Sequence, residues 1–185
     1  MNHLILASGS PRRRELLSLY TTDFTVCVSD FDEAAVTADT PAHLVEQLAR
    51  GKCLAVARQH PEAVVIGCDT VVDVGGEVFG KPTDPEDAKR MLRALSGATH
   101  AVHTGVCICC GSHTESFVDS CQVTFFPISE QEIAAYTATR DPYDKAGAYA
   151  IQGRAALWLD HIQGDYYTIM GLPVSRTVRL LGRFV

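Results

Sequence analysis

The chain has 185 residues, 46% of them hydrophobic and 21% charged, and a net charge of −6, the composition of a soluble globular protein. That length suits one domain, residues 1–185, with a sizeable core. The acidic balance argues against general nucleic-acid binding, which relies on broad phosphate neutralisation, and no run approaches the ~20 apolar residues of a membrane-spanning helix.

The order of elements begins with a short buried strand from His3 to Ala7, followed by Arg12 to Leu19, where Leu16, Leu17 and Leu19 recur at helical spacing. Between them Ser8-Gly9-Ser10 forms a small-residue loop, with Ser10 as helix cap and Pro11 in the first turn, where its missing N–H costs nothing. A strand that passes through small residues into a helix aims several backbone N–H groups at one point and attracts an anion. Arg12, Arg13 and Arg14 in the first turn oppose the helix dipole, so a partner such as a bound phosphate is expected to compensate them. The competing reading is an ordinary turn with solvated arginines.

Phe24 to Val28 alternates as a strand and delivers the acidic loop Asp30-Phe31-Asp32-Glu33. Thr40-Pro41 opens a helix to about His60 that carries Lys52, and Ala63 to Cys68 is an apolar strand expected to end at Asp69-Thr70. Val71–Val74 and Glu77–Phe79 read as a hairpin across Gly75-Gly76, followed by Gly80-Lys81-Pro82. A capped helix runs from Asp84 to Ser96-Gly97, and two long strands, His100–Cys110 and Thr114–Phe126, flank Gly111-Ser112. Ser129-Glu130-Gln131-Glu132 is a capping box for a helix to about Thr139. The glycine-rich stretch Asp144–Gly153 is too small in its side chains for ordinary core. Leu157–Ile162 is strand-like, Gly164–Tyr167 a turn, and Pro173–Phe184 a last amphipathic helix. Alternating strands and helices followed by long hairpins indicate an α/β sheet with antiparallel extensions.

Seven cysteines, at 27, 53, 68, 107, 109, 110 and 121, form an odd set with no second pair at zinc-ligand spacing. Thiols, and with them a reducing cytoplasmic setting, are the expectation, as is the absence of an export signal at the N-terminus. Polar residues collect where strands meet helices: Ser8, Ser10, Arg12 and Arg13; Asp32 and Glu33; Asp69 and Thr70; Lys81. Ligands in open α/β sheets bind beyond the carboxyl ends of strands, so Ser8 and Asp69 can share one crevice. Any one carboxylate–cation pair reads equally as a plain salt bridge. Asp69 stands apart, because a carboxylate closing an apolar strand tends to be desolvated.

In order along the chain, Ala7-Ser8-Gly9-Ser10-Pro11-Arg12-Arg13, Glu33, Asp69-Thr70-Val71-Val72, Gly80-Lys81-Pro82, Leu95-Ser96-Gly97, Thr104-Gly105-Val106, Asp144–Tyr149, Ile151-Gln152-Gly153, Gly164-Asp165-Tyr166 and Gly171-Leu172-Pro173 resemble the Maf nucleotide pyrophosphatases. The resemblance runs from residue 4 to about residue 182. It implies a bilobed α/β fold, a twisted mixed β-sheet flanked by helices around a deep central cleft, akin to inosine triphosphate pyrophosphatases and often a homodimer. It implies metal-assisted hydrolysis of a nucleoside triphosphate to the monophosphate and pyrophosphate. Asp69 would be the base, and Glu33 with Asp69 would hold Mg²⁺ or Mn²⁺. Lys52, Lys81, Arg12 and Arg13 would supply positive charge, and Ser8 and Ser10 hydrogen bonds to phosphate.

Thr70 matches the branch acting on dTTP and UTP, whereas the 7-methyl-GTP branch has Gln at that position. Gln152 fits that preference, because its amide pairs one donor and one acceptor with the O4 and N3–H edge of uracil or thymine. Arg12 joins them as a specificity residue by motif position. Two departures stand out: Cys68 replaces Ser or Ala before the Asp and would make the site oxidation-sensitive where exposed, and Thr168-Ile169-Met170 replaces a Val-rich stretch. The family's link with septum formation leaves a non-catalytic, nucleotide-binding regulator of cell division as the alternative.

Overall fold

The computed structural model describes residues 3–184, so residues 1, 2 and 185 of the expected domain lie outside the described residues. Strand β1, Leu4–Ala7, is buried throughout and leads into helix α1, Pro11–Ser18, whose first turn holds Pro11 and whose cap is the Ser10 hydroxyl, accepting the Arg13 N–H at 3.5 Å. The strand expected over residues 24–28 shortens to β2, Thr25–Val26. It pairs with β1 alone and both residues are exposed, so no second neighbour and no covering layer extends it.

Helix α2, Pro41–Gln59, is capped by the Thr40 hydroxyl, which accepts the His43 N–H at 3.2 Å. Strand β3, Val64–Val74, turns into β4, Glu77–Phe79; β5, Thr99–Cys110, and β6, His113–Phe125, form the long hairpin; and β7 is Leu159–Gln163. They make a seven-stranded mixed sheet in the order β2-β1-β3-β5-β6-β7, with β4 added to β3. β1 pairs parallel with β2 and β3, and the remaining pairs are antiparallel.

Helix α2 covers one face, where Ala49, Cys53 and Val56 pack on Ile5, Ala7, Val65, Cys107 and Cys109. Two glycines bring it close: a Cβ on Gly67 would stand 2.4 Å from the Ala49 carbonyl oxygen, and one on Gly105 would stand 2.4 Å from that of Val45. The other face carries the larger core, in which Leu6, Ile66 and Val106 meet Leu16 and Leu17 of α1, Leu92 and Leu95 of α3 (Pro85–Leu95), Ile133 of α4 (Glu130–Thr137) and Leu181 of α6 (Val174–Leu181). Among the described residues no helix is long and apolar enough to cross a membrane.

Three expectations need correction. The strand predicted to stop at Asp69 runs on to Val74, because β5 pairs with it from Val65 to Asp73 without a break. The turn predicted at Gly164–Tyr167 contains a short helix, α5, Tyr166–Met170, whose cap is the Asp165 carboxylate accepting the Tyr167 N–H at 3.2 Å. The helices expected to reach Thr139 and Phe184 end at Thr137 and Leu181.

On the edge of β3 away from β5, the pairing is interrupted. β1 pairs only as far as Gly67 and β4 starts at Val72, so residues 68–71 face an opening in the sheet.

Candidate functional site

A cavity of about 810 Å³ lies at this opening, lined by Ser8, Ser10, Arg12, Arg13, Glu33, Lys52, Asp69, Thr70, Lys81 and Gln152; Asp32, also singled out from the sequence, does not line it and instead accepts the Ala34 N–H at 3.1 Å. Asp69 shares with Val65 and Gly67 the face turned to α2, as the alternation of a strand requires. Because α2 sits so close at Gly67, the next residue round the helix from its contact at Cys53 brings an ammonium to the carboxylate. Lys52 Nζ lies 2.5 Å from Asp69 Oδ1 and 3.0 Å from Glu33 Oε2. The side chains of Lys52 and Asp69 are 13% and 11% exposed against 56% for Glu33, so the first pair is shielded from solvent and the second is not. A shielded pair persists only when good geometry offsets desolvation, which the short distance supplies.

Arg13 has a task within the fold that its sequence position does not suggest. Its Nε donates to the Gly171 carbonyl at 2.8 Å, Nη1 to the Ser8 hydroxyl at 3.1 Å and the Cys68 carbonyl at 3.0 Å, and Nη2 to Thr70 Oγ1 at 2.9 Å. The guanidinium thus fills the interrupted sheet edge in place of a strand, hydrogen-bonded to two carbonyl and two hydroxyl oxygens while it also lines the cavity. Gly171, at φ 102°, makes room, since a Cβ there would stand 3.2 Å from both Arg13 Nε and Thr70 Oγ1.

The Ser8 hydroxyl accepts from Arg13 and, at 3.3 Å, from the Ser10 N–H, which leaves its own proton for a ligand. Arg12 and Lys81 reach the cavity from α1 and from the loop after β4. Lys145, to which sequence reasoning gave no role although it stands in the motif Asp144–Tyr149, lines the same space. It donates to the Asp141 carbonyl at 2.6 Å and pairs with Asp144. Burial pushes the Asp144 carboxyl up, but the hydrogen bond from Lys145 and the charges of Lys145 and Arg12 outweigh it and hold the group below its ordinary range.

Val72, Val102, Tyr149, Ile151, Ile169 and Met170 form an apolar wall beside Thr70, and Gln152 stands exposed at the rim. Cys68, next to Asp69, is fully buried, and burial pushes its thiol up to about 11 against the opposing charge of Arg13. The oxidation sensitivity expected of an exposed thiol here therefore does not arise.

Among the described residues no cluster of three or more His, Cys, Asp or Glu could hold a metal ion. Glu33 and Asp69 do present oxygens to one point, around the Lys52 ammonium. That point is held by the ammonium itself, so it is the chemistry of the two carboxylates, hard oxygen donors beside a space open to water and phosphate oxygens, that suits Mg²⁺ or Mn²⁺.

The family model described as Maf-like protein matches residues 3–184. A protein of Bacillus cytotoxicus named dTTP/UTP pyrophosphatase is 48% identical over 184 residues, covering 100% of this chain and 96% of that one. A protein of the same name from Bacillus mycoides is 46% identical over the same span and coverage. In fold, the chain is similar to the Ham1 protein of Staphylococcus aureus, with a TM-score of 0.50 and 17% identity over 67% of this chain and 72% of that one.

Proposed function

The chain belongs to the Maf family, and from that membership we propose that it hydrolyses dTTP and UTP to the nucleoside monophosphate and pyrophosphate. The observation that carries the proposal is the shielded Asp69–Lys52 pair, with Glu33 beside it, opening onto the cavity that also receives Arg12, Lys81 and Lys145. A water molecule attacks the α-phosphorus, its proton passes to Asp69, and the bond to the bridging oxygen of the leaving pyrophosphate breaks with the electron pair. Lys52 holds the Asp69 carboxylate in position through one oxygen. Arg12, Lys81 and Lys145 neutralise charge on the polyphosphate, and the Ser8 hydroxyl donates to it. Glu33 and Asp69 are the residues that would hold Mg²⁺ or Mn²⁺, which when bound screens charge on the phosphoryl oxygens. The apolar wall receives the base, with Gln152 at its polar edge.

Pyrophosphate release measured across the common nucleoside triphosphates, with Mg²⁺ and with Mn²⁺, tests this reading. dTTP and UTP are expected to be turned over fastest. Binding of nucleotide without release would instead support the non-catalytic regulator.

A further inference from the structure

Thr104 does not line the cavity, yet its position behind Thr70 bears on which base the cavity accepts. The two threonines stand directly opposite each other on β5 and β3, and their hydroxyl oxygens are 2.9 Å apart. Thr104 is fully buried and donates its one hydroxyl proton to the Thr168 carbonyl at 2.7 Å. A carbonyl cannot donate, so the proton between the threonines must be Thr70's. On its other side Thr70 Oγ1 accepts from Arg13 Nη2 at 2.9 Å. Its proton and one lone pair are both engaged by the protein, and a single lone pair is left. The direction of the whole relay is fixed by its two ends, a guanidinium that only donates and a carbonyl that only accepts.

We propose that Thr104 is a positioning residue for base selection: by taking the Thr70 proton it makes Thr70 an obligatory acceptor toward the apolar wall of the cavity. This rests on the pyrimidine triphosphatase reading above. Uracil and thymine carry a donor at N3, which such an acceptor satisfies, whereas cytosine presents a lone pair at N3 and meets lone pair with lone pair. Gln152 alone discriminates poorly, because it is exposed at the rim and water competes for its amide. Thr70 is half-buried and cannot rotate its proton to suit the wrong base, and a site of fixed polarity rejects a mismatched partner more strongly than an adaptable one. Gln152 then serves O4 and Thr70 serves N3–H. The replaced stretch Thr168-Ile169-Met170 leaves the relay intact, since Thr168 takes part through its backbone oxygen.

The test compares kcat/KM for UTP and CTP in the wild type, Thr104→Val and Thr104→Ser, with a melting temperature for each. Thr104→Val is nearly isosteric but releases the Thr70 proton, and the UTP-to-CTP preference is expected to fall at least about tenfold, the worth of one hydrogen bond. Thr104→Ser keeps the hydroxyl and is expected to keep the preference. A Thr104→Val enzyme that loses the same factor on both substrates, or a serine variant that behaves like the valine one, would overturn the proposal. So would a wild-type enzyme that hydrolyses N3-methyl-UTP as fast as UTP, a comparison that needs no variant to fold. A wild type with no activity on UTP or dTTP overturns the proposed function itself and this inference with it; activity with an unchanged ratio overturns this inference alone.

Discussion

Gly67→Ala tests whether the approach of α2 to β3 builds the site. The added Cβ would stand 2.4 Å from the Ala49 carbonyl oxygen and 2.6 Å from both the backbone nitrogen and the Cβ of Cys53. Ordinary contacts between such atoms lie near ~3.5 Å, so α2 must retreat by roughly 1 Å at this point. The obstacles include backbone atoms, which no rotamer change can relieve. Overpacking of this kind costs about 1–3 kcal/mol, and at this chain length each kcal/mol lowers Tm by roughly 2–4 °C. The same retreat carries Lys52, immediately before Cys53, away from Asp69 and Glu33, and lengthens contacts now at 2.5 and 3.0 Å to roughly 3.5 and 4 Å, the first at the limit of hydrogen bonding and the second past it. Misplacement of a catalytic group by ~1 Å costs on the order of 10²-fold in rate. Thermal melts and steady-state pyrophosphate release on the wild type, Gly67→Ala and the control Gly182→Ala measure both effects; the control's nearest contact, 3.5 Å from the Arg179 carbonyl oxygen, is ordinary. A Gly67→Ala protein with wild-type Tm and kcat would refute the argument that this close approach positions Lys52.

Asp69→Asn is expected to keep the fold and lose at least about 10²-fold in kcat, the usual worth of a general base, and full activity would remove Asp69 from the chemistry. Arg13→Lys replaces a planar fork with a point donor and leaves several of the acceptors at Gly171, Ser8, Cys68 and Thr70 unpaired. A loss of about 2–4 kcal/mol is expected by chemical denaturation, and an unchanged midpoint would contradict the role assigned to it. His100 is 3% exposed, and burial pushes it from 6.5 down to about 4. Between those values the unfolded chain binds a proton that the folded protein refuses, so His100 withdraws stability as pH falls from about 6.5 toward 4, by up to about 3 kcal/mol, and contributes no further loss below that. His100→Gln should flatten the fall of Tm over that window relative to the wild type; an equally steep fall would show that another group titrates there.

What the sequence made legible was mostly local. Ser10, Thr40, Asp84 and Ser129 all cap the helices they were expected to cap, because a cap needs only the residue and the N–H three positions on. Most of the ten candidate residues converge because they stand near the ends and loops of elements whose order was readable; Lys52, in the middle of α2, and Asp69 and Thr70, in the middle of β3, do not. What escaped depends on distant partners. The strand readings on either side of Asp69-Thr70 were not joined into one, since the lysine that makes the burial of Asp69 tolerable is 17 positions away and the strand that holds it lies further on. The bonds that Arg13 makes within the protein were not legible, because its Gly171 acceptor is 158 residues distant. Lys145 stood inside a quoted motif, Asp144–Tyr149, but was given no role there. The helix at Tyr166–Met170 is a smaller lapse: the Asp165 cap was in plain view, but five residues give too little periodicity to register.

Because the cavity begins where the first strand runs out, its depth is a matter of counting residues. Two more on β1 would hydrogen-bond to Cys68 and Asp69, evict the guanidinium and close half of the opening over the Asp69 carboxylate. Two fewer would strip Ile66 and Gly67 of their neighbours and flood the seat of the acid with water. Among proteins built on this plan, insertions and deletions should therefore gather in the loops around the pocket and spare the four residues from Leu4 to Ala7.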